Sequence, residues 1–201
     1  MNFLSIDCST DIGSLFVKTK SKTFTKALQS DKFHNDLLMQ KILDFFEDNN
    51  LKFEDITHIF VNQGPGSFSG LRGSLAVAKG ISLSKNLKLF GYNTFLWSCA
   101  KFFKKKDFIY SLIKLRDKYF IKKFDINLNS VSKPEEIKES EIIKNYSNKF
   151  TVIAKSSIGV MHEKILKFDN LNIIDLDHNE LELLQLKDLL DKNLIKPLYF
   201  I

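Results

Sequence analysis

The sequence predicts an α/β protein: a mixed sheet covered by helices, followed by a reduced second lobe. Three observations predict it. Short apolar runs near residues 3–8, 13–19 and 22–25 precede any helical periodicity, so the chain opens as strands. From about residue 32 helical and strand patterns alternate, which sets helices against a sheet. An apolar run, Ile59-Phe60-Val61, then ends in the turn Gly64-Pro65-Gly66 and leads into a helix of small residues.

In order, the elements are a helix over 32–49, a strand over 57–62, a helix over 71–86, a strand over 88–91 and a helix over 94–103. Apolar runs at 108–115 and 119–126 flank Arg116-Asp117-Lys118 and predict a hairpin. Residues 127–150 are polar and predict a loop with a weak helix near 134–145. Thr151–Ala154 and Asn172–Leu176 have strand character, and Asn179–Asp191 places leucines along one side of a helix. The lobe boundary is expected near 104–107, giving lobes of residues 1–105 and 106–201.

Composition narrows the classes. A chain of 201 residues with 44% hydrophobic content can bury a sizeable core. No long uncharged apolar run predicts a membrane span, and the first ten residues do not read as a secretory signal. Cys8 and Cys99 are too few for a disulfide framework, so a reducing, cytoplasmic setting is expected. The net charge of +6 points toward nucleic acid, yet only Arg72 and Arg116 among the 30 basic residues are arginine. Bidentate phosphate recognition favours arginine, so the lysine run Lys101–Lys106 is expected to be a solvated segment between lobes.

The turn at 64–72 is the most informative stretch. Gly64, Gly66 and Gly70 permit a tight backbone and Pro65 fixes φ within it. The helix start can then hold an anion, or it can simply bring a helix close to a sheet. A P-loop is excluded because Gly70 is followed by Leu71-Arg72, and the glycines are misspaced for a dinucleotide fingerprint. Ser67 does not sit in a G-x-S-x-G elbow.

The segment Gly64-Pro65-Gly66-Ser67-Phe68-Ser69-Gly70-Leu71-Arg72 resembles the Gly-Pro-Gly-Ser-Phe-Thr-Gly-Leu-Arg signature of the TsaB (YeaZ) family, with Ser69 for Thr. The opening Ile6-Asp7-Cys8-Ser9-Thr10 is similar to that family's first hairpin. His34-Asn35-Asp36-Leu37-Leu38-Met39 is similar to its His-Ser helix, and Pro197-Leu198-Tyr199 to its closing Pro-x-Tyr. The match covers residues 1–100 well and the second half poorly. It implies a ribonuclease-H-like fold of the actin/Hsp70/sugar-kinase (ASKHA) superfamily. It also implies a non-catalytic subunit that assists threonylcarbamoyladenosine formation in tRNAs reading codons that begin with A. Implied partners are a catalytic TsaD-type paralogue, a TsaE-type ATPase, tRNA through the complex, and a second copy when the chain is alone. The resemblance implies no tightly bound cofactor on this chain, with ATP or ADP at the level of the complex, and no membrane association. In the superfamily the hairpin turn lies under a nucleotide's phosphates, which would give Asp7, Ser9 and Thr10 that role. By themselves these three residues are suited to hydrogen-bonding their own turn, and for this chain that local reading is preferred.

The two N-terminal helices read as wide apolar surfaces. On the first, Leu38, Met39, Ile42, Leu43, Phe45 and Phe46 span more than a simple surface stripe. On the second, Ser74, Ala78 and Ser82 form one small-residue ridge, and Ala76, Gly80 and Ser84 another. Either the helices pack on each other and the sheet, or they meet a partner. The family implies a partner interface at His34, Leu38, Met39, Ile42, Phe45, Phe46, Ala76, Gly80 and Leu83.

Catalytic chemistry is not expected. The paralogue carries a metal through His-x-x-x-His, and the corresponding positions here are Thr94 and Ser98. The histidines at 34, 58, 162 and 178 form no pair at metal-binding spacing, and no metal site is expected. The competing reading is a stand-alone homodimeric ATP-binding protein or small kinase of the same superfamily.

Overall fold

The computed structural model describes residues 1–10, 12–28 and 37–200. The chain forms two compact units: residues 1–94 with 185–201, and residues 95–184. The division thus falls at Thr94/Phe95, earlier than the expected 105/106, and the closing residues return to the first unit. The reason is local: the last segment pairs with the first unit's own backbone. Gly91 and Asp191 exchange N–H···O bonds of 2.8 and 2.9 Å, and Leu198 N–H donates to Gln63 O at 2.7 Å.

The first unit is a five-stranded sheet of order β3-β2-β1-β4-β5. Its strands are β1 (Phe3–Asp7), β2 (Gly13–Lys18), β3 (Thr23–Leu28), β4 (His58–Asn62) and β5 (Lys88–Tyr92). β1 runs antiparallel to β2, with Phe3 opposite Lys18, and parallel to β4, with Phe3 opposite His58. β4 and β5 are parallel. Two helices connect the parallel strands, α1 (Leu38–Asp48) and α2 (Phe68–Lys85). The predicted start of the first helix at 32 lies outside the described residues.

Strand alternation splits the core into two layers. Leu4, Ile6, Leu15, Val17, Ile59 and Val61 pack with Leu38, Ile42, Phe45 and Phe46 of α1 and Leu75, Ala78 and Ile81 of α2. The opposite face is aromatic. Phe3 meets Phe16 at 5.6 Å and Phe60 at 4.8 Å between ring centroids, and Phe60 meets Phe90 at 5.7 Å.

The helix α2 begins at Phe68 rather than Leu71 because Ser67 caps it, its Oγ accepting the Gly70 N–H at 3.3 Å. It ends at Asn86, which takes a left-handed φ of 51°. The short helix α3 (Thr94–Cys99) and a following 3₁₀ turn, Ala100–Phe102, occupy the predicted 94–103 segment.

The second unit has its own five-stranded sheet, of order β10-β9-β6-β7-β8. β6 (Phe108–Leu115) and β7 (Lys118–Asp125) form the expected hairpin, turning at Arg116 with φ 55°. Beyond it lie β8 (Glu135–Ile137), α4 (Glu139–Tyr146), β9 (Thr151–Ala154), α5 (Glu163–Leu166), β10 (Leu171–Ile174) and α6 (Glu180–Leu186). Its core includes Leu112, Tyr119, Ile121, Ile142, Ile153, Met161 and Ile165. The expected helix over 134–145 is in fact β8 followed by α4, and the helix expected over 179–191 stops at Leu186.

Candidate functional site

The parallel strands β1, β4 and β5 deliver their carboxyl ends to one edge of the first sheet. Open α/β sheets characteristically place ligands at such an edge. Here that edge carries a buried polar cluster. The hub is Asn62, fully buried at the end of β4. Its Nδ2 donates to Asp7 Oδ1 at 3.1 Å, Ser9 Oγ at 3.2 Å and Thr94 Oγ1 at 3.1 Å. Its Oδ1 accepts the Gly64 N–H at 2.8 Å. Asp7 Oδ1 also accepts the Ser9 N–H at 2.9 Å. Burial pushes the Asp7 carboxyl above its ordinary range, and the hydrogen bonds from Ser9 and Asn62 oppose that rise.

The glycine turn closes against this cluster. Gly64 adopts φ +99°, which disfavours any side chain. A Cβ on Gly66 would collide with the Ser9 carbonyl, so the two chain segments touch backbone to backbone. Ser67 N–H donates to Ser9 O at 2.7 Å. Of the two expectations for this turn, close approach of a helix to the sheet describes it. The N–H groups of Gly64, Ser67 and Gly70 are bonded within the chain. Asp7 and Ser9 turn inward to Asn62, and Thr10 Oγ1 donates to Ile12 O at 2.8 Å. All three therefore hydrogen-bond within the chain, Asp7 and Ser9 reaching beyond their own turn to Asn62.

The rest of the motif divides by helix face. Leu71 is buried, while Phe68, Ser69 and Arg72 face outward. Arg72 stacks its guanidinium 3.8 Å over the Phe68 ring.

The expected partner-interface residues also divide. Leu38, Ile42, Phe45 and Phe46 are at most 3% exposed and form the unit's own core, so they are corrected here from interface to core. The reason is their i, i+4, i+7, i+8 spacing, which turns all four toward the sheet. Met39, Ala76, Gly80 and Leu83 are exposed, Leu83 at 84%. His34 lies outside the described residues. Of the two ridges on α2, Ser74 and Ala78 pack inward, while Ala76, Gly80 and Ser84 face solvent. Leu43 at 42% and Leu37 at 51% exposure add apolar surface at α1.

Other reactive groups are engaged. Thr94 belongs to the Asn62 network, and Ser98 Oγ lies 2.8 Å from Ser111 Oγ. Burial pushes both the Cys8 and the Cys99 thiols up to about 12. His58 is half-buried, stacking on Phe90 with centroids 5.7 Å apart. Among the described residues no three of His, Cys, Asp and Glu converge as a metal site. Among the described residues no helix is long and apolar enough to cross a membrane.

Sequence reasoning missed Asn62 as the hub. Its signal was present: an amide ending the apolar run Ile59-Phe60-Val61, where a buried polar group needs several partners.

A family model described as TsaD: tRNA N6-adenosine threonylcarbamoyltransferase matches residues 28–108. The tRNA threonylcarbamoyladenosine biosynthesis protein TsaB of Buchnera aphidicola (subsp. Acyrthosiphon pisum) is 22% identical over 96% of this chain and 88% of its own length. TsaB of Escherichia coli is 24% identical over 48% of this chain and 42% of its own. The structure of YeaZ from Pseudomonas aeruginosa superposes with a TM-score of 0.73 at 12% identity, covering 99% of each chain. That likeness bears on the fold, which is ribonuclease-H-like. Motif and full-length relative agree in likeness to the TsaB (YeaZ) family, and the fold is the one seen in YeaZ.

Proposed function

We propose that this chain is a non-catalytic, cytoplasmic subunit of the machinery that forms threonylcarbamoyladenosine in tRNA. In this reading a TsaD-type paralogue transfers threonylcarbamoyl to the adenosine beside the anticodon. The present chain binds that paralogue through the outward side of α1 and α2, and a TsaE-type ATPase docks onto the pair. ATP or ADP belongs to the complex, and tRNA reaches this chain through it.

The observation that carries the reading is the outward ridge of α2, where Ala76 and Gly80 lead to Leu83 at 84% exposure. Small residues let a partner's backbone come close, and a leucine beside them then fills the contact. Covering a fully exposed Leu contributes about 1.5–3 kcal/mol. Met39 and Leu43 on α1 offer further apolar area. Binding selectively to the paralogue's competent conformation raises its population without any chemistry on this chain. A supporting role also fits the hydroxyls of Ser67, Thr94 and Ser98, each of which is bonded within its own unit.

The test is Leu83→Glu and Met39→Glu, assayed by co-purification with the organism's TsaD-type protein and by reconstituted tRNA modification. Both residues are exposed, so the thermal transition of the isolated chain stays unchanged while pairing and modification are lost. Modification that proceeds undiminished without this chain sinks the reading.

A further inference from the structure

In the second unit, lysine ammonium groups lie against aromatic rings, of which Phe108 is exposed while Tyr110 and Tyr146 are partly buried and pack their inner sides against the unit's core. Lys123 Nζ lies 3.7 Å from the Phe108 centroid and 5.7 Å from Tyr110. Lys149 Nζ lies 4.4 Å from Tyr146 and 5.2 Å from Tyr110. Lys106 Nζ lies 4.7 Å from Phe150. The rings form two edge-on pairs: Tyr110 meets Tyr146 at 5.3 Å, and Phe150 meets Phe102 at 4.9 Å.

The fold brings these groups together from distant stretches of chain. Tyr110 on β6 sits opposite Lys123 on β7. Its N–H donates to Phe150 O at 3.0 Å, which draws in the segment before β9. Lys104 N–H donates to Ile126 O at 2.8 Å, holding the lysine-rich turn after α3 against the end of the hairpin. Phe108 remains 47% exposed.

Acidic groups also lie nearby. Asp125 accepts the N–H groups of Asn127 and Asn129 at 2.9 and 2.8 Å, so its carboxylate is turned into its own loop. Asp107 follows Lys106 in the chain, and Glu135 bears electrostatically on Tyr146.

Flat π faces beside ammonium groups match a polyanion whose monomers have flat faces of their own. A single-stranded nucleic acid has both properties, whereas a duplex hides its base faces. An exposed cation–π contact is weaker than a stacked base, so a base displaces the lysine from the ring and the freed ammonium meets a phosphate. This division of labour removes the objection that the chain is poor in arginine: rings supply the stacking and lysines need act only as point charges. We propose that the surface formed by Phe108, Tyr110 and Tyr146 with Lys106, Lys123 and Lys149 binds single-stranded or looped RNA directly. The choice of RNA rests on the function proposed above; the surface itself does not.

The test uses the full chain and a fluorescein-labelled single-stranded RNA of about 12 nucleotides, within the usual span of such sites. Anisotropy is followed between about 50 and 200 mM salt. Replacing Lys106, Lys123 and Lys149 together by Ala should weaken binding about tenfold or more. It should also flatten the log–log salt slope by about two, since each single-strand phosphate contact contributes roughly 0.7. The triple Lys→Arg variant should retain binding. Phe108→Ala should weaken binding about fivefold or more while leaving the slope unchanged, because stacking carries no counterion term. Replacing exposed Lys20, Lys22 and Lys52 of the first unit by Ala removes equal charge and should leave affinity nearly intact.

The proposal is overturned if the wild-type chain does not bind, if Phe108→Ala has no effect, or if the first-unit control weakens binding as much as the second-unit triple. Any of these results, obtained while reconstituted modification still requires the chain, removes the RNA surface and leaves the subunit role standing.

Discussion

Arg72 Nε donates to the hydroxyl of Tyr199 at 2.9 Å, joining the start of α2 to the end of the chain. The Phe68 ring lies 3.8 Å beneath the guanidinium, and its centroid is 5.1 Å from that of Tyr199. The last residue of the glycine motif therefore holds the closing Pro-x-Tyr. Gln63 assists, its Nε2 donating to Lys196 O at 3.0 Å.

This contact yields a stability prediction. Tyr199→Phe keeps the ring and removes the hydrogen bond, and should cost about 0.5–1.5 kcal/mol in urea unfolding. The group is 40% exposed, which favours the lower part of that range. Phe68→Ala should cost a similar amount, about 0.5–1 kcal/mol, by removing the stacking platform. In the double variant the two losses should be less than additive, because both act on one guanidinium. Full additivity would mean that the tail is held elsewhere.

Two glycines make a sharper contrast. Gly66→Ala puts a Cβ into the Ser9 backbone carbonyl, and neither segment can yield without breaking the Ser67–Ser9 hydrogen bond. The expected cost is about 2–4 kcal/mol, or failure to fold. Gly80 is helical with nothing within 4 Å of an added Cβ. Gly80→Ala should therefore stabilise the isolated chain by about 0.5–1 kcal/mol. If a partner helix packs on this ridge, the same methyl group holds it off, so pairing with the TsaD-type protein weakens as stability rises. Calorimetric unfolding and pairing affinity on one variant check both halves. A stabilised variant with unchanged pairing would move the interface away from Gly80.

Much of the first unit was legible because its signals are local. Short apolar runs gave β1 and β2 and Gly-Pro-Gly gave the turn, and in the second unit Arg116-Asp117-Lys118 gave the hairpin. The α2 boundary shifted because a serine cap and a glycine inside the first turn look alike in sequence until Ser67 is seen bonded to Gly70. Leu38, Ile42, Phe45 and Phe46 were read as partner surface because hydrophobicity does not say what covers it. The three-dimensional answer came from the sheet beneath them, whose width is set by pairings between residues far apart in the chain. The polar hub escaped for the same reason: Asp7, Asn62 and Thr94 acquire meaning only when parallel pairing aligns their strand ends. The Lys–aromatic surface joins segments near residues 106, 123 and 149, which no pattern along the chain connects.

His178 supplies the last prediction. It is 7% exposed and stacks on Trp97 at 4.7 Å between centroids, while Trp97 Nε1 donates to Asp177 O at 2.8 Å. Burial holds its imidazole down to about 4, against an ordinary value of 6.5, and the neighbouring Asp177 opposes that shift only in part. The folded chain thus binds fewer protons at this site than the unfolded chain between pH 6.5 and 4. Stability from this group is complete above pH 6.5 and is lost as pH falls toward 4, roughly 3 kcal/mol over the whole window. Asp7 runs the other way, because its raised carboxyl favours the protonated folded state and so relieves destabilisation as pH falls. The two are separated by comparing wild type with His178→Phe, which keeps the stacked ring, since Asp7 is common to both and cancels in the difference. Thermal midpoints measured from pH 7.5 down to 4.5 should converge or cross, with wild type losing several degrees more than the variant. Parallel curves across that range would show that His178 is already protonated in the folded chain or open to water.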